Sequence, residues 1–565
     1  MRMTTLPARD SLSPVCLDHK ISPPWEAVNA STDIQSRRHY RTAHTVGENN
    51  IQFLWFDLHH PVFPISALLI VGFVGLTLAS PDATNGLLMA LRGWVLAQAD
   101  SVFTLTSTLM IGLCVALALS PAGRIRLGGQ QALPDFGLLS WFAMLFSAGV
   151  GIGLMFWGAA EPLAYYTGWS GTPLDVDPGS EAARRFAFSA AVFHWGLTPW
   201  AVYAIVGLAL AFFTFNKGLP LTLRSTFYPL LGERVWGWPG HCIDFFAVIS
   251  TLFGLATSLG LGASQIASGL GYLFGIETGN LGKVFIICGI TGLAVASVVR
   301  GLHGGVRLLS NLNMLLALAL LVFVIVAGPT LVILNQIGLS SWYYVQDFLP
   351  LSQFVGREDT TFYQGWTVFY LAWWISWSPF VGMFIARVSR GRTVREFLTA
   401  VLIVPVLLSI VWFSAFGATA LSLTEPGAPL AAGVGEVSLT LFRMLEGLPA
   451  TELASGLAIV LIVVFFVTSS DSGSLVIDSI TAGGKLEAPV PQRVFWACME
   501  GAVAAALLYG GGAQALDALQ AGAISSALPF SLVVVVCSIS LVKGLTHEVR
   551  ALAKAPAGAP MRPPP

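Results

Sequence analysis

The chain has 565 residues, of which 55% are hydrophobic and only 10% are charged, and its formal net charge is −1. A soluble domain carries roughly 25% charged residues, so most of this surface is not expected to face water. The near-neutral charge also argues against a nucleic acid partner. The composition therefore predicts a membrane protein with the lipid bilayer as its surroundings.

The two ends of the chain differ from the apolar middle. Residues 1–55 are largely polar and mixed in charge and lack the apolar core of a cleaved signal peptide, so we predict a disordered cytoplasmic tail. Residues 544–565 end in a proline-rich stretch and are predicted to be a second cytoplasmic tail. The six cysteines form no CxxC pair or Cys/His cluster, which favours packing thiols over metal ligands.

Twelve apolar stretches between the tails can cross a bilayer, which needs about 20 residues per helix. We place them at 62–80, 101–120, 137–158, 186–215, 242–274, 284–299, 309–335, 362–385, 397–423, 453–472, 494–509 and 524–542. With the N-terminus inside, few of the 29 Lys and Arg residues fall outside: Arg92, Arg184, Arg185, Lys283, Arg357 and Arg443. This asymmetry satisfies the positive-inside rule and predicts that both termini are cytoplasmic.

Two of these spans contain residues that weaken a helix. The third span reads FSAGVGIGLMFWG, in which Gly149, Gly151 and Gly153 alternate. Glycine permits non-helical dihedrals, and unwound backbone at membrane depth occurs where it lines a cavity. Pro379 is predicted to interrupt the eighth span because it removes a backbone donor. Breaks at matching places in two halves indicate a transporter binding site, although close helix packing explains the glycines equally well.

Aromatic residues concentrate in the fourth and eighth spans. Four in the eighth span recur at helical spacing on one face, with a fifth beside them: Trp366, Tyr370, Trp373, Trp377 and Trp374. The fourth span adds Trp195, Trp200 and Tyr203, and we predict a bend at Pro199 that brings Trp195 to the other two. The set suits either a packing stripe or a box of ring faces around a quaternary ammonium, which has no N–H to donate.

Three ionisable residues lie in or beside the spans. Glu161 follows the glycine-rich stretch, His194 precedes Trp195, and Asp471 lies in the tenth span. Ionisable groups at membrane depth are functional candidates by default. Each acid could instead close a structural network, and His194, although able to carry a proton, is better explained as a core histidine bonded to backbone.

Three adjacent hydroxyl groups stand in the otherwise apolar tenth span, on Thr468, Ser469 and Ser470. Sodium is a hard cation that prefers oxygen ligands, so hydroxyls and unwound carbonyls together suit it. The alternative is that each hydroxyl bonds back to the carbonyl one helical turn earlier.

Taken together, these segments resemble the betaine/choline/carnitine transporter family from the first predicted span to the last. The most specific stretches are FSAGVGIGLMFWGAAEPL, FHWGLTPWAVYAIVG, AWWISWSPFVGMFIARVSRGRTVREF and FFVTSSDS. The resemblance implies an all-α membrane protein, usually a homotrimer, with a LeuT-like core of two inverted five-helix repeats. It divides the chain into two peripheral helices (56–136), a first repeat (137–336), an amphipathic connection (337–361) and a second repeat (362–543).

The resemblance also implies roles for individual residues. The substrate-binding set comprises Trp195, Trp200, Tyr203, Trp373, Trp374, Trp377, Gly149, Gly151 and Gly153. The main sodium site comprises the side chains of Thr468 and Ser469 and the carbonyls of Ser147, Val150 and Phe465. Thr251 and Phe380 match part of a second sodium site, in which Leu255 stands where betaine symporters have a threonine. Sodium is expected as the coupling ion, and no cofactor is implied.

Two features select a subtype within the family. Choline-type members have an acidic residue where this chain has Gly153, and sodium-independent carnitine exchangers carry a basic residue in the fifth span, whereas residues 245–271 here include no Lys or Arg. Both features favour sodium-driven import of a zwitterionic compatible solute, with glycine betaine first, across a bacterial inner membrane.

Several alternatives remain open at the level of sequence. The nearest is a proton-coupled or sodium-independent carrier of choline, carnitine or dimethylsulfoniopropionate. A membrane enzyme is disfavoured because the sequence has no paired metal ligands, activated nucleophile motif or phosphate loop. A channel or osmosensor is a third reading, although the short C-terminal tail argues against strong osmotic activation. Leu255 leaves the sodium stoichiometry undecided.

Overall fold

The computed structural model describes residues 40–149, 151–300, 307–485 and 487–554 of this protein. Apart from short 3-10 and π turns, the regular structure of these residues consists of one β-hairpin and a series of α-helices. The hairpin pairs β1 (Asn50–Phe53) with β2 (Phe56–His59) in antiparallel register. The helices are α1 (Val62–Ala79), α2 (Pro81–Leu119), α3 (Leu138–Gly149), α4 (Ile152–Trp157), α5 (Ala160–Thr167), α6 (Glu181–Trp195), α7 (Leu197–Ala211), α8 (Tyr228–Leu231), α9 (Trp238–Phe274), α10 (Asn280–Arg300), α11 (Arg307–Ala327), α12 (Thr330–Ser352), α13 (Thr360–Phe362), α14 (Phe369–Val388), α15 (Val394–Ser422), α16 (Thr440–Glu446), α17 (Thr451–Thr481), α18 (Val490–Gly511) and α19 (Ala515–Lys554).

Among the described residues, ten helical segments are long and apolar enough to cross a membrane. The predicted third span is not one of them, because it is divided into α3 and α4, each shorter than a bilayer requires. The last two predicted spans are counted together as Val490–Lys554, although the short turn Gly512–Gln514 separates α18 from α19. The chain is therefore a multi-pass, predominantly helical membrane protein, while the number twelve stays a prediction.

The spanning helices differ sharply in how much of their surface other helices cover. The segment Glu181–Asn216 is 94% buried in its most apolar stretch, and Thr360–Val388 is 83% buried. By contrast α1 is only 28% buried and α10 is 33% buried. Apolar side chains that remain exposed on a spanning helix face lipid, so α1 and α10 are peripheral. The fourth and eighth predicted spans, which carry the tryptophans, form the protein interior, where α7 packs against α14.

Regular structure extends into both of the predicted tails. Residues 1–39 and 555–565 lie outside the described residues. Residues 50–53, predicted as tail, form β1 because Asn50 donates to the Ala482 carbonyl at 2.9 Å and to Asp57 at 2.9 Å, while Lys485 pairs with Asp57. At the other end α19 continues to Lys554, since Glu548 is buried in an ion pair with Lys217. These partners are distant in sequence and could not be read locally.

The seventh predicted span, 309–335, is also divided in the structure. Helix α11 ends at Ala327 and α12 begins at Thr330, with Gly328 and Pro329 between them. Proline lacks the N–H that a continuing helix would need, and it supplies the N-cap of α12. Helix α12 therefore begins before residue 337, the predicted start of the connection, and it packs against α6 and α15.

Pro379 does not interrupt the eighth span as predicted, because α14 runs continuously from Phe369 to Val388. A proline in a helix leaves the carbonyl four residues earlier without its donor. Here the Ser378 hydroxyl donates to that carbonyl, of Ile375, at 2.7 Å. The side chain thus replaces the missing backbone bond, and the helix is maintained.

Candidate functional site

The third and fourth spans are each broken near the middle of the protein. Gly151, at the start of α4, has an extended backbone with φ −155° and ψ −172°, which confirms the predicted departure from helix in the glycine-rich stretch. Gly196 separates α6 from α7 with φ −98° and ψ −121°. The bend of the fourth span is therefore at Gly196 and not at Pro199, which lies in the first turn of α7, where proline is tolerated.

The break at Gly196 frees three carbonyl groups, and each has found a side-chain donor. The Thr198 hydroxyl donates to the Phe193 carbonyl. The indole N–H of Trp374 donates to the His194 carbonyl at 2.7 Å, and the Ser409 hydroxyl donates to the Trp195 carbonyl at 3.0 Å. Because buried backbone acceptors need partners, these bonds fix the broken helix and orient Trp374 at the same time.

The two breaks and α14 enclose an aromatic cavity. Its lining residues are Gly151, Gly153, Trp195, Pro199, Trp200, Tyr203, Ser258, Trp373, Trp374, Trp377, Pro405, Leu408 and Ser409. This list contains eight of the nine residues predicted to bind substrate. The ninth, Gly149, is described only as part of the α3 backbone. None of these thirteen described residues is acidic or basic.

The tryptophan rings meet in the edge-to-face and stacked arrangements that aromatic pairs favour. The Trp195 and Trp374 rings are 4.7 Å apart between centroids at an interplanar angle of 69°, and Trp373 stacks on Trp374 at 4.7 Å and 14°. Trp200 and Tyr203 meet at 5.4 Å and 86°. Rings held in this way present both faces and edges to the cavity.

Gly153 allows two of these rings to approach the backbone. A Cβ atom at this position would lie 2.5 Å from Cη2 of Trp195 and 3.0 Å from Cη2 of Trp373. Both distances are shorter than carbon atoms tolerate, so any larger residue would displace the rings. The predicted glycine therefore has a steric role in addition to being uncharged.

The predicted aromatic face of the eighth span is present as a series of ring contacts. Trp366 stacks on Tyr370 at 6.3 Å between centroids, and Trp373 contacts Tyr370 at 6.2 Å and Trp377 at 6.5 Å. A π turn at Tyr363–Val368 precedes α14 and shifts the register of the residues before it. Trp366 also packs against Trp157, at 5.1 Å between ring centroids, and the Tyr370 hydroxyl donates to Glu161 at 2.6 Å. Of the four rings on this face, Trp373 and Trp377 line the cavity. A π turn cannot be recognised from residue spacing, which assumes a regular helix.

Sequence reasoning missed five lining residues: Pro199 as a wall of the cavity, Ser258, Pro405, Leu408 and Ser409. The last three lie on α15 at positions i, i+3 and i+4 and so share one face. They stand in an ordinary apolar run, so no local signal distinguishes them from residues that face lipid.

Behind the cavity lies a network of side chains centred on Glu161, which is 0% exposed. Its two carboxylate oxygens accept bonds from Tyr165, Trp195 and Tyr370, and one oxygen lies 3.1 Å from Nδ1 of His194. The ring of His194 contacts side chains, including the Thr367 hydroxyl at 3.0 Å from Nε2. The expectation of a core histidine bonded to backbone is therefore wrong for the imidazole ring.

The three adjacent hydroxyl groups of the tenth span do not act together. The Ser470 hydroxyl points to another helix and donates to the Glu500 carboxylate at 2.9 Å. Asp471 accepts a bond from Ser297. Glu500 is fully buried in α18 and was not singled out from the sequence, although an acidic residue in an apolar span is itself a signal.

The predicted main sodium ligands are described only in part. Val150 lies outside the described residues, and Ser147 is described only as part of the α3 backbone. The Thr468 hydroxyl bonds back to the Val464 carbonyl at 3.0 Å, as in the alternative interpretation, and it accepts a bond from Asn313 at 3.1 Å. Phe465 lies one turn before Ser469 on α17, and α4 packs against this helix.

The predicted second sodium site has one well-placed oxygen. The Thr251 hydroxyl is fully buried and has no hydrogen-bond partner among the described residues. Phe380 lies on α14, with its ring 5.5 Å from that of Trp377. Leu255 is fully buried and directed towards Gly473, so it offers packing rather than an oxygen ligand.

Comparison with known proteins gives a consistent result along the chain. A family profile described as BCCT, betaine/carnitine/choline family transporter, matches residues 61–550. Glycine betaine transporter 1 of Vibrio parahaemolyticus is 54% identical over 514 residues, covering 90% of this chain and 97% of that protein. A glycine betaine/proline/choline/ectoine transporter of the same bacterium is 52% identical over 90% of this chain and 91% of its own length. Glycine betaine transporter OpuD of Bacillus subtilis is 44% identical over 84% of this chain and 92% of its own length.

Proposed function

This chain belongs to the betaine/carnitine/choline transporter (BCCT) family, and we propose that it imports glycine betaine, or a closely similar zwitterionic solute, together with sodium. The protein is a multi-pass membrane transporter and not an enzyme. The choice of substrate and of coupling ion is the step that goes beyond family membership.

The observation that carries the substrate proposal is the aromatic cavity. A quaternary ammonium group cannot donate a conventional hydrogen bond, so it is recognised by ring faces, each worth about 2 kcal/mol when desolvated. Five tryptophans and a tyrosine line the cavity, and the lining supplies no acidic side chain to pair directly with a simple cation. A zwitterion brings its own carboxylate and needs none. This favours betaine over choline.

The sodium proposal is supported by oxygen atoms at two places. The Thr468 hydroxyl accepts one bond from Asn313 and retains a second lone pair, which could ligate a cation near the break in the third span. The buried Thr251 hydroxyl lacks a partner among the described residues. Since Leu255 supplies no oxygen, we propose a main site at Thr468 and Ser469, with a weak or absent second site.

The mechanism we propose is alternating access around the aromatic cavity. Sodium bound between the third and tenth spans would stabilise the backbone break that shapes one wall of the cavity. Substrate would then bind to a state that is already formed, and the two ligands would favour each other's binding. Movement of one helix group against the other would open the cavity to either side in turn.

The proposal also covers the fold, the oligomeric state, the membrane and the orientation of the transporter. We infer a LeuT-like arrangement of twelve spans, a homotrimer in the bacterial inner membrane, and cytoplasmic termini. The distribution of Lys and Arg supports this orientation. The lipid-facing character of α1 agrees with its predicted position outside the two repeats.

The test is uptake of radiolabelled glycine betaine into proteoliposomes, with and without an inward sodium gradient. We expect saturable accumulation that requires sodium. Accumulation driven by a proton gradient alone, or exchange that sodium does not affect, would refute the coupling and favour the proton-coupled or sodium-independent alternative. Sodium-driven uptake of choline, carnitine or dimethylsulfoniopropionate without betaine uptake would support the proposed sodium coupling and refute the proposed substrate.

A further inference from the structure

The buried Glu161 carboxylate accepts several hydrogen bonds, and the proposed transport function does not explain why it is there. Oε2 accepts the indole N–H of Trp195 at 2.7 Å and the hydroxyl of Tyr370 at 2.6 Å. Oε1 accepts the hydroxyl of Tyr165 at 2.8 Å and lies 3.1 Å from Nδ1 of His194. All five side chains are buried, and Glu161 is not among the residues that line the cavity.

This geometry indicates an ionised carboxylate. A carboxylate without a proton is an acceptor only and offers about four lone-pair positions. A tryptophan N–H can only donate, and the Tyr165 and Tyr370 hydroxyls donate to the same two oxygens. His194 Nδ1 lies 3.1 Å from one of these oxygens and 3.0 Å from the Tyr165 hydroxyl. A neutral His194 with its proton on Nδ1 completes the set, because Nε2 can then accept the Thr367 hydroxyl. In that state the cluster carries one negative charge.

No Lys or Arg among the described residues forms an ion pair with this charge. The ion pairs of the described chain include Glu161 only with His194. A buried carboxylate that no cation neutralises is costly to desolvate, so it is retained where it has a use. Its hydrogen bonds lead to the rings of the aromatic cavity.

Trp195 connects Glu161 to the cavity directly. Its indole ring lines the cavity while its N–H is held by the carboxylate. A hydrogen bond from an indole N–H to an anion fixes the ring plane, and it polarises the ring so that its π-face becomes more negative. A more negative face attracts a quaternary ammonium more strongly.

A second connection runs through Tyr370 and His194 to Trp374. The Tyr370 ring stacks near the Trp374 ring, at 5.9 Å between centroids and 21°, while its hydroxyl is held by Glu161. The backbone carbonyl of His194 accepts the indole N–H of Trp374. The carboxylate therefore organises two of the rings from the side that faces away from the substrate.

We propose that Glu161 is a positioning residue that supplies the negative charge for cation recognition, acting through Trp195 and not by contact with substrate. The proposal rests on the proposed function, because it requires that the cavity binds a quaternary ammonium. It explains how a cavity lined by uncharged residues can prefer a cation. It also distinguishes Glu161 from a carboxylate that merely fills a hydrogen-bond network.

The test compares two ligands of the same shape. Glycine betaine and 3,3-dimethylbutanoate share a carboxylate and a three-methyl head, but the second has carbon in place of the positive nitrogen. Binding of radiolabelled betaine, and its competition by 3,3-dimethylbutanoate, would be measured by scintillation proximity on purified protein in sodium. This readout does not depend on turnover.

In Glu161→Gln we expect the preference for betaine over 3,3-dimethylbutanoate to fall about tenfold, the order of effect of one charge removed near a ligand cation. Glu500→Gln is the matched control, because Glu500 is equally buried, lies in a spanning helix and is not part of the cavity lining. It should leave the preference unchanged.

Trp195→Phe provides a second test that does not require Glu161 to change. Phenylalanine retains a ring face but has no N–H for the carboxylate. We expect the preference to fall in this variant, and we expect Glu161→Gln to cause little further loss when the two are combined. This arm also serves if Glu161→Gln fails to fold.

The outcomes separate the two proposals. If Glu161→Gln weakens both ligands by the same factor, the residue is structural only and the inference is overturned. Additive losses in the double variant would overturn the route through Trp195. If the unaltered protein does not distinguish betaine from 3,3-dimethylbutanoate, cation recognition itself fails, and with it the proposed function.

Discussion

Among single residues, the cavity depends on two kinds of position. At some an aromatic ring is required, and at others any side chain larger than that of glycine would displace a ring. Trp374 is held on one side by its bond to the His194 carbonyl and on the other by Trp373, which stacks on it. Gly153 lies against two rings of the same cavity. Substitution of Trp374 would remove a ring from the cavity, whereas substitution of Gly153 would add volume that displaces two rings.

Replacing Trp374 by Leu should raise the KM for betaine uptake about 30-fold, because one desolvated cation–π contact is worth about 2 kcal/mol. The measurement is radiolabelled uptake in proteoliposomes over a range of betaine concentrations. Trp238→Leu is the matched control, since Trp238 is 65% exposed and outside the cavity. Equal KM values for the two variants would contradict the assignment of Trp374.

Replacing Gly153 by Ala should raise KM roughly tenfold, because the added methyl group displaces Trp195 and Trp373 and overpacking typically costs about 1–3 kcal/mol. Gly112→Ala is a suitable control, since a Cβ atom at Gly112 in α2 has open space around it. Uptake kinetics and the thermal stability of both variants would be measured together. A normal KM in Gly153→Ala would show that the rings do not need this close approach.

Among the structural elements, the helix breaks contribute more to the shape of the cavity than the regular helices do. The break at Gly196 turns the last residues of α6 so that Trp195 can enter the cavity beside Trp200 of α7. Pro379, by contrast, leaves α14 intact because Ser378 supplies the missing donor. Whether a helix breaks at a glycine or a proline thus depends on which side chains are near the freed carbonyls.

The β-hairpin is the element whose attachment should depend on pH. Burial, together with the nearby Arg224 guanidinium, lowers the pKa of His59 to about 3. His241, His44 and His60 act in the same direction. An unfolded histidine has a pKa of about 6.5, so the neutral ring stabilises the docked hairpin above this pH. That contribution is lost as the pH falls from about 6.5 towards 3.

We therefore expect amide hydrogen exchange in residues 50–60 to accelerate as the pH is lowered from neutral to about 5.5, beyond the change in intrinsic rate. Mass spectrometry of the purified transporter would measure it. The variant His59→Gln should flatten this dependence while the exchange of α17 serves as an internal reference. Identical pH dependence in the variant would assign the effect to another histidine.

For the molecule as a whole, the proposed sodium coupling requires that distant helices form one ion site. The Thr468 hydroxyl of α17 accepts a bond from Asn313 of α11, and α17 also packs against α4 and α9. An ion bound here would join helices from both halves of the chain. Sodium affinity should accordingly be sensitive to one hydroxyl.

Thr468→Ala should raise the sodium concentration for half-maximal uptake about tenfold, because a polar partner of a charged group is worth about 1.5–3 kcal/mol. Thr481→Ala is the control. Its hydroxyl also bonds back one turn, to Ile477, and accepts a bond from Trp496, but at the end of α17. Sodium titration of betaine uptake gives the measurement, and equal shifts in both variants would exclude a specific site at Thr468.

The class of the molecule, its apolar spans and its concentration of tryptophans in two spans could be predicted from the amino-acid sequence. These features are local: an apolar run of sufficient length must leave water, and tryptophans at helical spacing tend to share a face. The glycine-rich stretch was identified for the same reason, since glycine weakens a helix wherever it occurs. Eight of the nine substrate-binding residues that the family resemblance implied lie together at one cavity.

The tertiary structure alone decided where the fourth span bends, that Pro379 is tolerated, and that Ser470 bonds to Glu500 instead of joining Thr468. It also decided that Glu161 lies behind Trp195 and Tyr370. Pro379 is tolerated because of Ser378 in the same helix, whereas the other outcomes depend on hydrogen-bond partners from other helices. Such partners are set by packing across the molecule, and the spacing of residues along one helix contains no information about them.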